Sequence, residues 1–331
     1  MDIPCMTTFI HPKLSCQCLR ITVEAGAQGL LLPPYPGSTL RGALGRALHQ
    51  LACTASKNMD CEGCFFRQVC PVTLLFRPIL PEGREGFFAK GQDLPAPFVL
   101  RPRTHGKTQF YAGQRFDVDL TVFGKVIPYL PYLLAALTQA VEKGLGKERR
   151  KAVIVDGAVI NPLTEEKHPV FDGETWALTG SPSIQPEQVA QAVQTLAGLE
   201  RLKVRLETPL RLKADEHLQN RISASVLVRG LARRISVLAA FYGEEPWAED
   251  FPELLRLAET VGVEVDHYRW VDWERYSSRQ DCRMKLGGLV GELVLSGAGL
   301  EKLLPLFVWG QLTHVGKATS FGLGAMRVSY E

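Results

Sequence analysis

Hydrophobic and polar positions along the chain follow two periods, and together they predict a protein with both strands and helices. Residues 15–25 alternate between apolar and polar side chains, which is the two-residue period of a strand. Residues 39–52 instead place leucine or alanine every three or four positions, which indicates a helix with Ser38 as its N-cap. The same criteria predict strands within 72–123, at 151–160 and at 202–212, and helices at 127–143 and from 186 to about 199.

The second half of the chain shows a recognisable order of elements. After the strand at 202–212, the pattern predicts a helix at 223–243, two strand segments within 262–296, a helix at 300–313 and a closing strand at 325–330. This order is strand, helix, strand, strand, helix, strand, which is typical of a ferredoxin-like fold.

The first half repeats parts of that order, which suggests a duplication. The spacing of Arg41-Gly42 and Arg46 in the first helix equals the spacing of Arg229-Gly230 and Arg234 in the later one. We therefore predict an α+β chain with two tandem ferredoxin-like (RRM-like, βαββαβ) domains, residues 1–190 and 191–331, divided near a Pro/Gly/Ser-rich stretch.

Composition narrows the class of protein. Of 331 residues, 46% are apolar and 22% are charged, which excludes a wholly disordered chain. A net charge of +3 excludes a histone-like polycation but allows a local basic patch. Residues 1–15 lack the pattern of a secretory signal, and the longest apolar stretch, 126–141, is too short for a membrane span, so we expect a soluble, cytoplasmic protein.

Four of the eight cysteines lie close together directly after the first helix. Cys53, Cys61, Cys64 and Cys70 fall within 18 residues, and the C-x2-C pair can place two thiolates on one turn. Four thiolates suit a closed, structural Zn²⁺ site, and they also suit an iron–sulfur cluster. Four cysteines without metal are the remaining alternative. A redox protein built around an iron–sulfur cluster is therefore one of the functions that we consider.

A glycine-rich segment before the last strand is a candidate phosphate-binding loop. Glycines allow the backbone to approach a phosphate chain, while lysine and hydroxyl groups supply charge and hydrogen-bond donors. The alternative is a tight turn that is needed only for packing. The segment contains Gly316, Lys317, Thr319, Ser320, Gly322 and Gly324.

Residues 268–285 interleave aromatic and basic side chains, a pattern that is typical of surfaces that stack bases and hold phosphates. Three acidic residues dilute this pattern, so a solvated hairpin is the alternative. The preceding helix carries a further basic stripe that includes Arg234. The basic candidates for RNA binding are Arg229, Arg233, Arg275, Arg279, Arg283 and Lys285.

Among seven histidines, two have suggestive positions. His49 lies near the end of the first helix, and His314 adjoins the glycine-rich segment. Histidine transfers protons near neutral pH, although a single histidine is more often structural.

Three segments together resemble the CRISPR-associated repeat-specific endoribonucleases of the RAMP superfamily. They are P-G-S-T-L-R-G-A-L at 36–44, W-E-R-Y-S-S-R-Q-D-C-R-M-K-L-G-G at 273–288 and H-V-G-K-A-T-S-F-G-L-G at 314–324. The cysteine cluster looks like that of a zinc-knuckle branch of this family. Residues 80–200 resemble the family only in the order of their elements.

The resemblance implies two ferredoxin-like domains that bind CRISPR repeat RNA and cut the precursor transcript once per repeat. Cleavage would be metal-independent, through attack of a ribose 2′-OH on its own phosphate, and would leave a 2′,3′-cyclic phosphate and a 5′-OH. By the same resemblance, His49 matches the catalytic histidine, Tyr35 and Lys57 match residues that accompany it in some members, and His314 matches a position that contacts RNA. Lys57 lies inside the cysteine cluster, which departs from the family pattern.

The same fold also serves in non-catalytic RAMP subunits, which hold guide RNA in a CRISPR effector complex. In that alternative, His49 is only a helix residue. Cleavage of repeat RNA by the pure protein separates the two functions. In both, we expect CRISPR RNA as a partner, with other effector subunits as further candidates.

Overall fold

Two antiparallel sheets, each with helices packed on it, make up the chain. The computed structural model describes residues 9–55, 60–80, 94–214, 217–277 and 282–330. The first half contains β1 (Cys16–Ala25), β2 (Leu30–Leu31), α1 (Gly37–Ala52), α2 (Pro71–Phe76), β3 (Phe98–Arg103), β4 (Gln109–Phe110), β5 (Arg115–Phe123), α3 (Leu130–Lys143), β6 (Ala152–Ile160), β7 (Lys167–Pro169) and α4 (Pro186–Gln194). The second half contains β8 (Arg201–Leu210), β9 (Lys213–Ala214), β10 (His217–Leu218), α5 (Ala224–Tyr242), α6 (Phe251–Glu259), β11 (Gly262–Val271), β12 (Glu274–Ser277), β13 (Cys282–Lys285), β14 (Gly288–Ser296), α7 (Leu300–Thr313) and β15 (Met326–Tyr330).

The order of strands is the same in the two large sheets. The first sheet runs β3-β5-β1-β6-β7, and the second runs β11-β14-β8-β15. In each, the first strand of the unit lies between its third and fourth strands, and all neighbours are antiparallel. This arrangement confirms the predicted α+β fold with tandem ferredoxin-like units.

The period of the sequence accounts for the main elements. In β1, Leu19, Ile21 and Val23 are fully buried, and the intervening positions are more open. In α5, apolar side chains at helical spacing are buried, and the side chain of Ser223 caps the helix by accepting a hydrogen bond from the N–H of Val226 at 3.2 Å. Each fully buried aliphatic side chain contributes about 1.5–3 kcal/mol to folding.

The start of α1 differs from the prediction. The helix begins at Gly37, directly after Pro36, and Ser38 lies in its first turn rather than at the N-cap. No side chain caps this end. The helix N-terminus is instead packed against the glycine-rich segment, because a Cβ at Gly37 would overlap the carbonyl oxygen of Phe321.

Two helices were not predicted from the pattern. Residues 71–76, expected to begin a region of strands, form α2, in which Pro71 occupies a position that favours helix initiation. The sequence analysis also missed α6, which Asp250 caps by accepting a hydrogen bond from the N–H of Glu253 at 3.0 Å. Both helices are short, so few apolar positions mark their period.

The two sheets are joined by charged side chains as well as by apolar packing. Within the first sheet, Arg20 on β1 donates a hydrogen bond to Asp119 on β5 at 2.8 Å. Arg101 on β3 forms a 2.8 Å ion pair with Glu207 on β8, so it links the first sheet to the second. Among the described residues, no helix has both the length and the apolar character that crossing a membrane requires.

Candidate nucleic-acid interface and active-site groove

The glycine-rich segment, residues 314–324, is held between the two sheets by backbone hydrogen bonds. Its Lys317 N–H donates to the carbonyl of Arg211 at 2.9 Å, and its Gly324 N–H donates to the carbonyl of Pro209 at 3.1 Å. On the other side, a Cβ at Gly322 would lie 2.8 Å from the Cα of Arg101 on β3. The segment therefore connects the end of β8 to the first sheet.

Two glycines of the glycine-rich segment are packed in the interior and are not accessible to a ligand. Gly322 and Gly324 are buried and have positive φ angles of 79° and 69°, which favour glycine. Thr319 is also buried, whereas Gly316 and Ser320 are half-buried and Lys317 is exposed. Of the predicted residues in this segment, Lys317 and Ser320 thus offer the accessible side chains.

His314 does not present its ring to solvent. The side chain is 5% exposed, and its Nδ1–H donates to the carbonyl of Leu323 at 3.1 Å. Burial and the charges of Arg101 and Arg234 lower the pKa of His314 to about 3. This geometry argues against the predicted contact with RNA, because the neutral ring ties the two ends of the glycine-rich segment together.

Positive side chains converge beside Lys317. The pKa of Lys317 is lowered first by partial burial and then by the positive charges of Lys213, Arg211 and Arg233. Arg233 and Arg229 are exposed one turn apart on α5, while Arg234 is buried and donates to the carbonyl of Thr313 at 3.2 Å. Like charges of this kind repel one another, so an anion bound beside Lys317 would stabilise its charged form.

We refer to Arg211, Lys213, Arg229, Arg233 and Lys317 as the cationic cluster. Sequence analysis predicted Arg229, Arg233 and Lys317, and missed Arg211 and Lys213. These two lie at the end of β8 and in β9, next to the glycine-rich segment. The two basic residues within 211–213 were a sequence signal that could have identified Arg211 and Lys213.

The predicted aromatic–basic hairpin is present as β12 and β13. In the antiparallel register, Arg275 is opposite Met284, Tyr276 is opposite Arg283, and Glu274 is opposite Lys285. Arg279 lies outside the described residues. The participation of Arg275, Arg279, Arg283 and Lys285 in RNA binding stays a prediction.

Tyr35 lies in a small apolar cluster between the two halves of the chain. Its ring centroid is 5.4 Å from that of Trp273, and Leu286, Leu323 and Phe321 complete the cluster. Burial raises the pKa of the Tyr35 hydroxyl, and the nearby charge of Arg269 opposes the change. Two of the segments that carry the family resemblance, 273–288 and 314–324, therefore meet beside Tyr35, which directly precedes the third.

His49 lies on the opposite end of α1, in an open groove. The groove has a volume of about 1220 Å³. It is lined by one face of α1 together with residues of α2 and of the segment 60–70, which we call the cysteine segment. The α1 residues are Arg41, Gly42, Gly45, Arg46 and His49, at the spacing of one helix face. Facing them are, among others, Asp60, Cys61, Glu62, Phe76 and Arg77.

The groove has both an exposed imidazole and positive charge. His49 is exposed, and Arg46 is exposed one turn before it. Arg41 is held by aromatic rings, because its guanidinium carbon lies 5.0 Å from the centroid of Phe76 and 5.3 Å from that of Phe321. A proton acceptor and cations on a common face can act on a phosphodiester.

The structure does not bring Tyr35 to His49. Tyr35 precedes α1, and His49 lies twelve residues after Gly37, which is about 18 Å along a helix axis. Lys57 falls outside the described residues. Of the three predicted catalytic residues, His49 alone is placed in the groove by the residues that the structure describes.

The cysteine segment forms turns, but the structure does not support the predicted metal site. The N–H of Cys64 donates to the carbonyl of Cys61 at 3.3 Å, as expected for C-x2-C, and Arg77 donates to the Cys61 sulfur at 3.8 Å. Within the described ranges, which include Cys53, Cys61, Cys64 and Cys70, no three His, Cys, Asp or Glu side chains are grouped so that they could hold a metal ion. The zinc site and the iron–sulfur cluster therefore stay predictions.

Family models match almost the whole chain. Residues 14–187 match AF_1859_N, a family described as an N-terminal domain, and residues 204–326 match the CRISPR-associated endoribonuclease Cas6. No curated protein sequence matches the chain.

Solved structures with the same fold include several Cas6 proteins. Thermus thermophilus Cas6 (TTHB231) superposes with a TM-score of 0.54 at 14% identity, over 96% of this chain and 99% of that chain. A product complex of Cas6 (TTHB231) gives 0.52 at 15% identity, over 95% and 99%. A partial Cas6-RT-Cas1–Cas2 complex gives 0.58 at 10% identity, over 97% of this chain and 47% of that chain.

At these identities the superpositions establish a shared fold, and the family matches carry the assignment. The AF_1859_N match spans more than half of the chain, and the Cas6 match continues from the start of β8 into β15. The chain therefore belongs to the AF_1859_N family, and its C-terminal half matches the family model of the CRISPR-associated Cas6 endoribonucleases.

Proposed function

We propose that the chain binds the repeat of a precursor CRISPR RNA and cuts it within the repeat, with His49 as the proton-transferring residue. The observation that carries this proposal is the groove on α1, in which an exposed imidazole lies one turn from Arg46 and shares the groove lining with Arg77. The Cas6 family match supports RNA processing as the use of this groove.

The proposed chemistry needs only groups that the RNA and the groove supply. His49 accepts the proton of a ribose 2′-OH, and the 2′-oxygen forms a bond to the adjacent phosphorus. The bond from phosphorus to the 5′-oxygen breaks, that oxygen takes a proton from solvent as it leaves, and His49 then releases to solvent the proton that it accepted. The products are a 2′,3′-cyclic phosphate and a 5′-OH, and the groove arginines stabilise the additional negative charge in the transition state.

The nucleophile is part of the substrate, so no step requires a metal-bound water. We therefore propose that cleavage is metal-independent. This differs from metal-assisted hydrolysis, in which a cation generates the attacking hydroxide.

The cationic cluster is proposed to hold the RNA backbone away from the cut. Lys317 is exposed, and the nearby positive charges of Lys213, Arg211 and Arg233 lower its pKa, so a phosphate chain bound beside Lys317 would offset this repulsion. One structural neighbour is a Cas6 product complex and another is a Cas6-RT-Cas1–Cas2 complex. We propose repeat RNA as the partner of this chain, and assembly with further CRISPR proteins as a second interaction.

Incubation of the purified chain with the repeat RNA of its own CRISPR array tests the function. The expected result is one cut per repeat, with a cyclic phosphate on the upstream fragment and a 5′-OH on the downstream fragment. Tight binding without any cut would refute the enzyme and favour the non-catalytic guide-RNA subunit. A 5′-phosphate on the downstream product would refute the proposed attack by the 2′-OH.

A further inference from the structure

We propose that Phe65 and Phe66, in the cysteine segment, form a stacking platform for unpaired bases of the RNA next to the His49 groove. This inference rests on the proposed function and extends it, because it names residues that would select single-stranded nucleotides near the cut.

The first observation is the exposure of the two rings. The side chain of Phe65 is 91% exposed and that of Phe66 is 53% exposed. Burying a phenylalanine side chain stabilises the folded chain, so two adjacent exposed rings forgo stability that folding could have gained. Contiguous exposed apolar surface of this kind marks an interaction site.

The second observation is that an ordered loop presents the rings. The N–H groups of Cys64, Arg67 and Cys70 donate to carbonyls three or four residues earlier, at 3.3, 3.1 and 2.8 Å. The Arg67 side chain fastens the same loop by donating to the carbonyl of Glu62 at 2.8 Å. Successive turns therefore hold Phe65 and Phe66 at the surface.

The loop that holds the rings is also a wall of the groove. Asp60, Cys61 and Glu62 line the same groove as His49. Phe65 follows Glu62 by three residues, which is at most about 11 Å of chain. RNA in the groove would thus pass close to the two rings.

The geometry of the rings suits splayed bases. Their centroids are 5.3 Å apart and their planes meet at 86°, so each ring keeps a face that the other does not cover. Bases that are unpaired and unstacked from each other can lie on such faces, and stacking of this kind is tolerant of sequence. Continuity with the groove and the nearby Arg46 and Arg77 favour RNA over an apolar protein partner as the occupant.

The test measures RNA affinity with Phe65→Ala, Phe66→Ala and the double variant. The probe is single-stranded repeat RNA with a 2′-deoxy nucleotide at the cut, which prevents cleavage, and with 2-aminopurine in place of successive bases. The double variant is expected to bind about tenfold more weakly and to lose the 2-aminopurine quenching that wild type shows. Phe65→Trp retains binding, since it keeps a stacking face.

Val69→Ala is the matched control, because Val69 is 61% exposed in the same loop but has no aromatic face. It should bind as wild type does, and all variants should bind the fully double-stranded repeat with unchanged affinity. Wild-type affinity of the double variant for single-stranded RNA would overturn the platform. If the double variant binds with wild-type affinity and wild type still cuts the repeat, the platform is refuted and the proposed function stands. If wild type neither binds nor cuts the repeat, the proposed function fails as well.

Discussion

Gly37 at the start of α1 packs directly on the backbone carbonyl of Phe321, in the glycine-rich segment more than 280 residues later in the chain. This contact joins the helix that carries His49 to the loop that carries Lys317. The orientation of α1 relative to the cationic cluster therefore depends on a position that has no room for a side chain.

Two glycines of α1 should respond in opposite directions to alanine. A Cβ at Gly37 would overlap the Phe321 carbonyl, so Gly37→Ala should destabilise the protein by about 1–3 kcal/mol. A Cβ at Gly42 would meet only the end of the Arg46 side chain at 3.7 Å, so Gly42→Ala should stabilise by about 0.5–1 kcal/mol through helix propensity. Urea unfolding measures both, and equal effects of the two substitutions would contradict the packing described for Gly37.

His314 should make the protein sensitive to acid. Burial lowers its pKa to about 3, whereas in the unfolded chain it is about 6.5. Between these values the unfolded chain binds a proton that the folded chain does not. The unfolding free energy therefore has its full value above pH 6.5. It falls by up to about 1.4 kcal/mol per pH unit as the pH drops toward 3.

His314→Asn removes this titration, so its unfolding free energy should depend less steeply on pH over that range. Thermal or urea unfolding at several pH values compares the two proteins. Parallel pH dependences for the variant and wild type would show that His314 is not the responsible group.

Lys317→Ala should weaken RNA binding without changing the chemistry. The substitution removes one phosphate contact, so affinity should fall at low salt and the slope of log K against log salt should decrease by about one. Cleavage at saturating enzyme should keep its rate. Lys302→Ala, at an exposed position of α7, is the control and should leave the slope unaltered. An unchanged slope for Lys317→Ala would remove Lys317 from the RNA interface.

Chelation should leave cleavage intact. The 2′-OH of the RNA is the proposed nucleophile, so single-turnover cleavage in EDTA should proceed at the rate seen without it. Circular dichroism under the same conditions checks that the fold persists. Loss of cleavage with an intact fold would mean that a metal ion takes part in the reaction.

The sequence predicted the fold well where the hydrophobic period was long. Strand β1 and helices α5 and α7 were placed within one or two residues, because each spans nine or more residues with a clear buried stripe. The short helix α2 was expected to be a strand, since six residues contain too little of a period and Pro71 interrupts it.

The site was predicted in its parts but not in its assembly. The position of His49 followed from the motif around α1, yet its separation from Tyr35 depends on the length and straightness of that helix. The burial of His314 could not be predicted from its motif. It results from packing near Arg101, which is far away in the sequence, and against Leu323, which lies in a segment without regular secondary structure. The cysteine spacing suggested a metal site, but spacing does not determine where the sulfur atoms point.

The most direct test of the account is single-turnover cleavage of repeat RNA by His49→Ala, with RNA affinity measured alongside. Gln50→Ala, at the exposed neighbouring position, is the control. The account predicts that His49→Ala binds RNA as wild type does but cuts about 100- to 10,000-fold more slowly, while Gln50→Ala cuts at the wild-type rate. Cleavage by His49→Ala at the wild-type rate would contradict the central claim that this imidazole transfers the proton.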